Sequence, residues 1–294
     1  MRHKQSPSVR QLQVFLAVID EQGVSGAARK LGVSQPAVTN MIQSLEKEIG
    51  TILFRRIGRK MLLTEPGDKV ARAARHALNE TNRLLDSVKY ATGNSVTPLR
   101  IGYSAPQMML SAARKFRTAH PSVPLQFHAG NTSTLFELLD DYQVDLVSIG
   151  LSSPMEDYHC QLYVRQSLYL VMRCDDPLAH LDEIALEATE GLPFIMREEG
   201  SYTRKVFLDT CAQKGVRTNI ALEIYSREAT KEAVAHGFGY GTIPHREITQ
   251  DPRFKTIPIL GCEKICDEYF VCRKSALTFP PVKQFLDINS VVLK

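Results

Sequence analysis

The chain has no apolar run of about 18 residues, so no segment of it is built to span a bilayer as a helix. Its first residues, M-R-H-K-Q-S-P-S-V-R-Q-L-Q, carry charge with no apolar stretch behind them. A secretory signal is therefore not expected, and the chain is expected to stay in the cytoplasm, away from membranes. Cysteine is sparse: Cys160, Cys174, Cys211, Cys262, Cys266 and Cys272 form no C-x-x-C pair. Cytosolic conditions would keep them reduced. Cys262, Cys266 and Cys272 have no histidine among them to complete a usual zinc set, so they read as ordinary thiols near late strands. There is no G-x-G-x-x-G loop, G-x-S-x-G elbow or H-E-x-x-H helix. The run G-F-G-Y-G at 237–241 has the wrong spacing for a nucleotide loop and ends a helix rather than opening one. The adjacent acids Asp140-Asp141 and Glu198-Glu199 point in different directions on regular elements. These absences argue against an enzyme, and no metal or cofactor is expected.

What is present is enough apolar material, 44% of 294 residues, for two or three packed domains. The net charge of +4 is modest but uneven. Residues 1–64 hold ten Lys or Arg against four acids, a surplus of +6, which leaves the other 230 residues near −2. A basic head on a slightly acidic body suits a nucleic-acid partner at one end.

The head has the pattern to match. Val9, Leu12, Leu16 and Ile19, widened by Phe15, predict a first helix over 8–22, ended by Gly23. Ser25 is placed to cap a second, with Ala27, Ala28 and Leu31 inside it. Gly32 supplies a left-handed turn, Ser34 an N-cap and Pro36 the first turn of a third helix, which Val38, Ile42, Leu45 and Ile49 hold on the core. Its other face carries Gln35, Thr39, Asn40 and Gln43, short hydrogen-bonding groups suited to base edges, although any solvated helix face is polar. Beyond it, L-F-R-R and M-L-L-T flank I-G-R-K as a two-stranded wing, with Arg55, Arg56 and Arg59 available to phosphates or a narrow minor groove.

The ordered run A-A-R-K-L-G-V-S-Q-P-A-V-T, then L-E-K-E-I-G-T-I-L-F-R-R, then L-L-T-E-P-G resembles the winged helix-turn-helix of LysR-type transcriptional regulators. It covers about the first 67 residues. The resemblance implies that Gln35, Pro36 and Thr39 contact double-stranded promoter DNA and that Arg55 or Arg56 makes the wing contact; Ser34, Asn40, Gln43 and Arg59 join the expected DNA-binding set from their place in the same helix and hairpin. Gly26 is a departure, since the family more often has Ala or another helix former there.

A proline-free stretch follows. Val70, Ala74, Ala77, Thr81, Leu84, Val88 and Ala91 recur at spacings of four and three, a seam for a partner helix unless it packs on its own domain. The resemblance implies paired linker helices in a homodimer, often assembled as a homotetramer, with RNA polymerase a further possible partner. The expected domains are 1–66 (winged helix-turn-helix), 67–92 (linker helix), 93–98 (hinge) and 99–294 (effector-binding body).

In the body, strands at 99–103, 124–129 and 145–149 alternate with helices at 107–120 and 134–142, giving a parallel sheet. A second half repeats the pattern, with strands at 162–173, 194–196 and 220–225 and helices at 203–213 and 228–236. A strand at 268–273 and a helix at 280–288 close the chain. The segments I-G-Y-S-A, V-D-L-V-S-I-G and H-G-F-G-Y-G-T-I-P fit the same family, whose body has the bilobed α/β fold of type II periplasmic binding proteins. The expected lobes are about 99–164 with 270–294, and about 165–269. A periplasmic solute-binding protein would share this body, but it needs an export signal and has no basic winged head.

Ligands of such sheets bind at strand C-terminal ends beside helix N-termini. Four places offer hydroxyls and backbone N–H groups for a small anion: Tyr103-Ser104, Asn131-Thr132-Ser133, Ser201-Tyr202-Thr203-Arg204 and Ser226-Arg227. The alternative is that Ser133, Ser201 and Ser226 are plain helix caps. The runs R-E-E-G-S-Y-T-R and E-I-Y-S-R-E-A-T-K-E-A-V-A-H-G-F-G resemble a LysR subgroup associated with 2-aminoethylphosphonate catabolism. That resemblance implies a phosphonate effector, with Glu198, Glu199 or Glu228 meeting its ammonium. A small carboxylate is the alternative.

Overall fold

A computed structural model describes residues 6–57, 60–92, 97–263 and 266–290. Two compact units emerge, Met1–Thr92 and Gly93–Lys294. Most of the expected hinge, 93–96, lies outside the described residues, as does Arg59 of the wing.

The first unit opens with α1 (Val9–Asp20), α2 (Val24–Leu31) and α3 (Gln35–Ile49). Ser8 and Gln11 form a reciprocal capping box at α1, with Ser8 N 2.7 Å from Gln11 Oε1 and Gln11 N 3.2 Å from Ser8 Oγ. The buried stripe of α1 is Val14, Phe15, Ala17 and Val18. Leu12, Leu16 and Ile19 are its half-buried flank, and Val9 is exposed. The expected stripe was therefore rotated toward one edge of the true one. α2 begins one residue before Ser25, after Gly23, so Ser25 lies inside the helix and caps nothing. Gly26 has a packing reason: a Cβ there would sit 2.7 Å from Glu21 Cβ. Gly32 adopts φ 66° and turns the chain into α3, whose Ser34 Oγ accepts from Ala37 N at 3.3 Å.

The wing is the antiparallel pair β1 (Phe54–Ile57) and β2 (Lys60–Leu63), in the register Phe54 opposite Leu63. Glu46 of α3 pins its start by accepting from Leu53 N (2.7 Å) and Phe54 N (3.3 Å). Phe54 then meets Phe15 edge to face, centroids 5.2 Å apart. α4 (Glu65–Ala91) follows, capped by Thr64. Its first turns belong to the head core, where Ala71 and Ala74 are buried and Val70 packs alongside. The seam is thus divided. Its beginning is packed on the chain's own domain, while Ala77, Thr81, Leu84 and Val88 are exposed.

The second unit is the bilobed α/β body. Its first lobe contains β3 (Leu99–Tyr103), α5 (Pro106–Ala119), β4 (Leu125–Ala129), α6 (Thr132–Asp140), β5 (Leu146–Gly150) and β6 (Tyr158–Val164). The chain then passes to β7 (Leu168–Arg173), β8 (Ile184–Ala185), β9 (Pro193–Arg197), α7 (Tyr202–Gln213), β10 (Asn219–Ile224), α8 (Arg227–Ala235), β11 (Gly241–Pro244) and β12 (Phe254–Leu260). It returns as β13 (Glu268–Arg273) and α9 (Pro280–Ile288).

The first sheet has the order β4-β3-β5-β13-β6. Strands β3, β4 and β5 run parallel, and β13 is antiparallel to both β5 and β6. The second lobe holds the sheet β11-β7-β12-β8 and the parallel pair β9 and β10. A bridge between Phe194 and Tyr240 ties β9 to the start of β11. β8 and β12 were not expected from the sequence, and β6 and β7 were expected only as one strand-rich section; β8 is two residues long, and β12 carries Pro258 within it. The two crossings between lobes touch: Gln166 N donates to Asp267 Oδ1 and Cys266 N to Gln166 O, both at 3.3 Å.

Candidate nucleic-acid interface and effector cleft

On the head, Gln35, Pro36, Asn40 and Gln43 are exposed on one end and face of α3. Thr39 is half-buried and donates its hydroxyl to Gln35 O at 3.1 Å, and Ser34 is engaged as the cap. Arg55 and Arg56 are exposed on β1, opposite Leu62 and Met61. The capping box also sets Arg10 beside α3, where Ser8, Arg10, Gln11, Ala37, Asn40 and Met41 line a shallow groove. Sequence reasoning had passed over Arg10, although a basic residue in the first turn after a serine cap was the available signal. Lys30 is occupied differently: Asp20 and Glu21 hold its ammonium at 3.2 and 3.3 Å and push its pKa up.

In the body, the C-terminal end of β3 and the N-termini of α6 and α8 converge. Tyr103, Ser104, Asn131, Arg197, Ser226 and Arg227 line an open cavity of about 400 Å³, with the acids Glu198 and Glu228 also on its wall. Asn131 is the N-cap of α6, accepting from Thr134 N at 3.0 Å. Ser226 caps α8, accepting from Ala229 N at 3.2 Å. Ser226 does so at φ 87°, ψ 152°, a conformation that non-glycine residues avoid. Backbone strain therefore sits at the rim of this cavity.

The other predicted residues divide. Ser201, Tyr202 and Thr203 line a second, inner chamber, with Ser201 and Thr203 buried. Thr132 faces that chamber too. Ser133 and Arg204 instead line a separate depression with Glu199 and Lys205. Ser133 lies inside α6, not at its cap. Arg204 is consumed by structure, its Nη1 donating to Arg197 O (2.7 Å) and to Glu223 Oε2 (2.5 Å). The structure does not bring those two to the main cavity.

Two arginines dominate the cavity, and each is paired. Arg197 forks onto Glu198 with Nε and Nη2 at 2.8 Å. Burial works against the Glu198 charge, yet the Arg197 fork and the Asn131 amide hold its carboxyl below the ordinary range. Arg227 sets Nε 2.5 Å from Glu247 Oε2 and Nη2 3.2 Å from Oε1. Burial pushes Glu247 up, with Arg227 opposing it. Glu268, fully buried, is pushed up to about 8 by burial, only partly offset by Ser148 Oγ donating at 2.6 Å. Tyr202 is also raised by burial. Arg197, Gln166, Glu247 and Glu268 were absent from the sequence-based site. They come from four separate segments, and no local motif joins them. Cys262 and Cys266 pack in the apolar core of the second lobe, and burial raises both thiols.

Against known proteins, residues 9–68 match the model of the bacterial regulatory helix-turn-helix protein, lysR family, and residues 93–289 match the LysR substrate binding domain. The chain is 30% identical over 287 residues to the RuBisCO operon transcriptional regulator of Allochromatium vinosum, covering 95% of this chain and 94% of that protein. It is 30% identical to the HTH-type transcriptional regulator CbbR of Sinorhizobium medicae over 86% of this chain and 82% of that one. Among solved structures it resembles full-length OxyR from Pseudomonas aeruginosa, with TM-score 0.74, 19% identity and coverage of 97% and 95% of the two chains. It also resembles full-length CbnR in complex with its target DNA, with TM-score 0.69, 20% identity and coverage of 96% and 98%.

Proposed function

Because the chain belongs to the LysR family of bacterial transcriptional regulators, we propose that its cleft binds a small anionic effector and thereby sets how the winged head occupies promoter DNA. The protein is a DNA-binding regulator of transcription and not an enzyme. On the head, Gln35, Pro36, Asn40 and Gln43 read base edges, while Arg10, Arg55 and Arg56 take phosphates. Arg59 is grouped with them from the sequence alone. The exposed face of α4, with Leu84, Leu85 and Val88, pairs two copies so that two half-sites are read together. RNA polymerase is a partner of the bound assembly, which acts in the cytoplasm.

The observation that carries the effector reading is the convergence of the α6 and α8 N-termini with Arg197 and Arg227 on one cavity. The helix dipole favours negative charge there, as do the first-turn N–H groups that the Asn131 and Ser226 caps and Gly200 O do not take. The effector is a phosphonate in this reading, a dianion matched to two helix ends, with Arg197 and Arg227 beside them, each also paired to a carboxylate. In a second reading the same cavity takes a small carboxylate, and, since two relatives are named RuBisCO operon transcriptional regulators, the controlled operon serves carbon fixation. Calorimetric titration with 2-aminoethylphosphonate and with simple carboxylates separates the two. Binding of only uncharged compounds contradicts both. For the head, filter binding to promoter DNA should show altered site preference in Gln35→Ala with folding intact.

A further inference from the structure

The wide cavity continues inward to the chamber of about 20 Å³, room for one water-sized group. Its walls include Gln166, Glu247, Glu268, Ser104, Ser201 and Thr203. The chamber is rich in acceptors. The Gln166 side-chain oxygen is buried, in a residue only 2% exposed, and has no hydrogen-bond partner among the described residues. An unpaired buried acceptor of that kind costs about 1–3 kcal/mol unless a donor arrives.

Charge accounting points the same way. Arg197 is matched by Glu198 and Arg227 by Glu247. Glu268 is left over: among the described residues it forms no ion pair, and the one hydrogen bond of its carboxyl is from Ser148. The groups facing it are Glu247, Arg227 and the Cys266 thiol. A guest that supplies several donors and one positive charge completes this set. A neutral hydroxyl brings too few donors, and a second anion would meet two carboxyls.

We propose that the inner chamber is an ammonium subsite, with Glu268 and Gln166 as its ligating side chains, so that the effector is a short zwitterion: a primary amine seated inside, and an acid group held outside by the α6 and α8 N-termini. The inference rests on the anionic-effector reading for its outer half only. It displaces the acids expected from sequence to meet an ammonium. Glu198 is already held by Arg197 and Asn131, Glu199 lines the separate depression, and Glu228 lines the outer cavity and not the chamber. It also supplies a coupling, because Gln166 and Glu268 stand at the two crossings between the lobes. An amine bridging them ties occupancy of the site to the segments on which lobe closure would turn.

The test is calorimetry of the full-length protein with matched pairs: 2-aminoethylphosphonate against ethylphosphonate, β-alanine against propionate, and ethylamine alone. The wild type should bind the amino member of a pair at least about tenfold more tightly, the scale of one buried charge-assisted interaction. Glu268→Gln, nearly isosteric with the protonated acid, should erase that preference, so that the two members of each pair bind alike. Gln166→Leu should reduce the preference as well. Because Glu268 ionises to meet the amine, amine binding near neutral pH should release a proton, visible as a dependence of the heat on buffer. Equal binding of both members by the wild type overturns the subsite and leaves the anion reading intact. Binding of ethylamine lost in Glu268→Gln, with no acid bound at all, upholds the subsite and overturns the anion reading.

Discussion

Asn131 at the start of α6 reaches across the cleft to Glu198 at the end of β9, its Nδ2 3.2 Å from the carboxylate. The same side chain caps α6 through its oxygen, 3.0 Å from Thr134 N. One amide thus serves both the local helix and the contact between lobes.

These two roles separate by substitution. Asn131→Asp keeps a good cap but sets a second carboxylate against Glu198. Thermal unfolding should change little, while effector affinity falls severalfold. Asn131→Ala should lose both, with about 1 kcal/mol of stability from the cap. Equal effector affinity in wild type and Asn131→Asp would show that this contact does not govern the site.

Ser226 holds a strained backbone where only its cap bond recommends serine. Such strain costs on the order of 1–3 kcal/mol, whereas replacing a serine cap by glycine loses only a few tenths. Ser226→Gly should therefore raise the melting temperature. The same change frees the chain at the mouth of the cavity and should weaken effector binding. A lower melting temperature would mean that the hydroxyl contributes more than its cap.

How far the sequence disclosed this molecule depended on the range of the interactions involved. The head was legible because its signals are local: Ser34, Pro36 and Gly32 each fix their own few residues. The wing and the last strand and helix were legible for the same reason. Ser25 misled because a serine before an apolar pair suits a cap, while the chain starts α2 at Val24 after the extended Gly23. Gly26 gave no hint that Glu21 occupies the space of its missing Cβ. In the body, Tyr103, Asn131 and Ser226 could be placed, since strand ends and helix starts mark themselves. Gln166, Glu247 and Glu268 could not be, since only tertiary folding brings their segments to one chamber. Arg204 looked equal to Arg227 in sequence, and the distant partner Glu223 sets them apart.

Glu268 gives the fold a pH dependence with a definite sign. Its carboxyl stands at about 8 in the folded chain against an ordinary 4.5. The folded state therefore keeps a proton that the unfolded chain gives up. That contribution is fully present below about pH 4.5 and is lost as pH rises through about 8. Glu268→Gln removes it, so the melting-temperature advantage of wild type over the variant should shrink between about pH 5 and 8.5. Parallel curves for the two proteins would place Glu268 at an ordinary pKa.

Oligomerisation can be tested on α4. Leu84, Leu85 and Val88 are exposed on it at 67%, 55% and 57%. Placing charges there by Leu84→Glu with Val88→Glu should dissociate the assembly in sedimentation and weaken binding to a two-half-site operator by about tenfold or more. The head core, which uses Val70, Ala71 and Ala74, should remain folded by circular dichroism. An unchanged sedimentation coefficient would put the interface elsewhere.

The most direct test of an anion held between the α6 and α8 N-termini is titration of the wild type and of Arg227→Gln with Glu247→Gln. The paired change leaves no buried charge unmatched. One-site binding of 2-aminoethylphosphonate or a short carboxylate to wild type, weakened at least about tenfold in the folded double variant, is the predicted result. Equal affinity in both proteins would contradict the account.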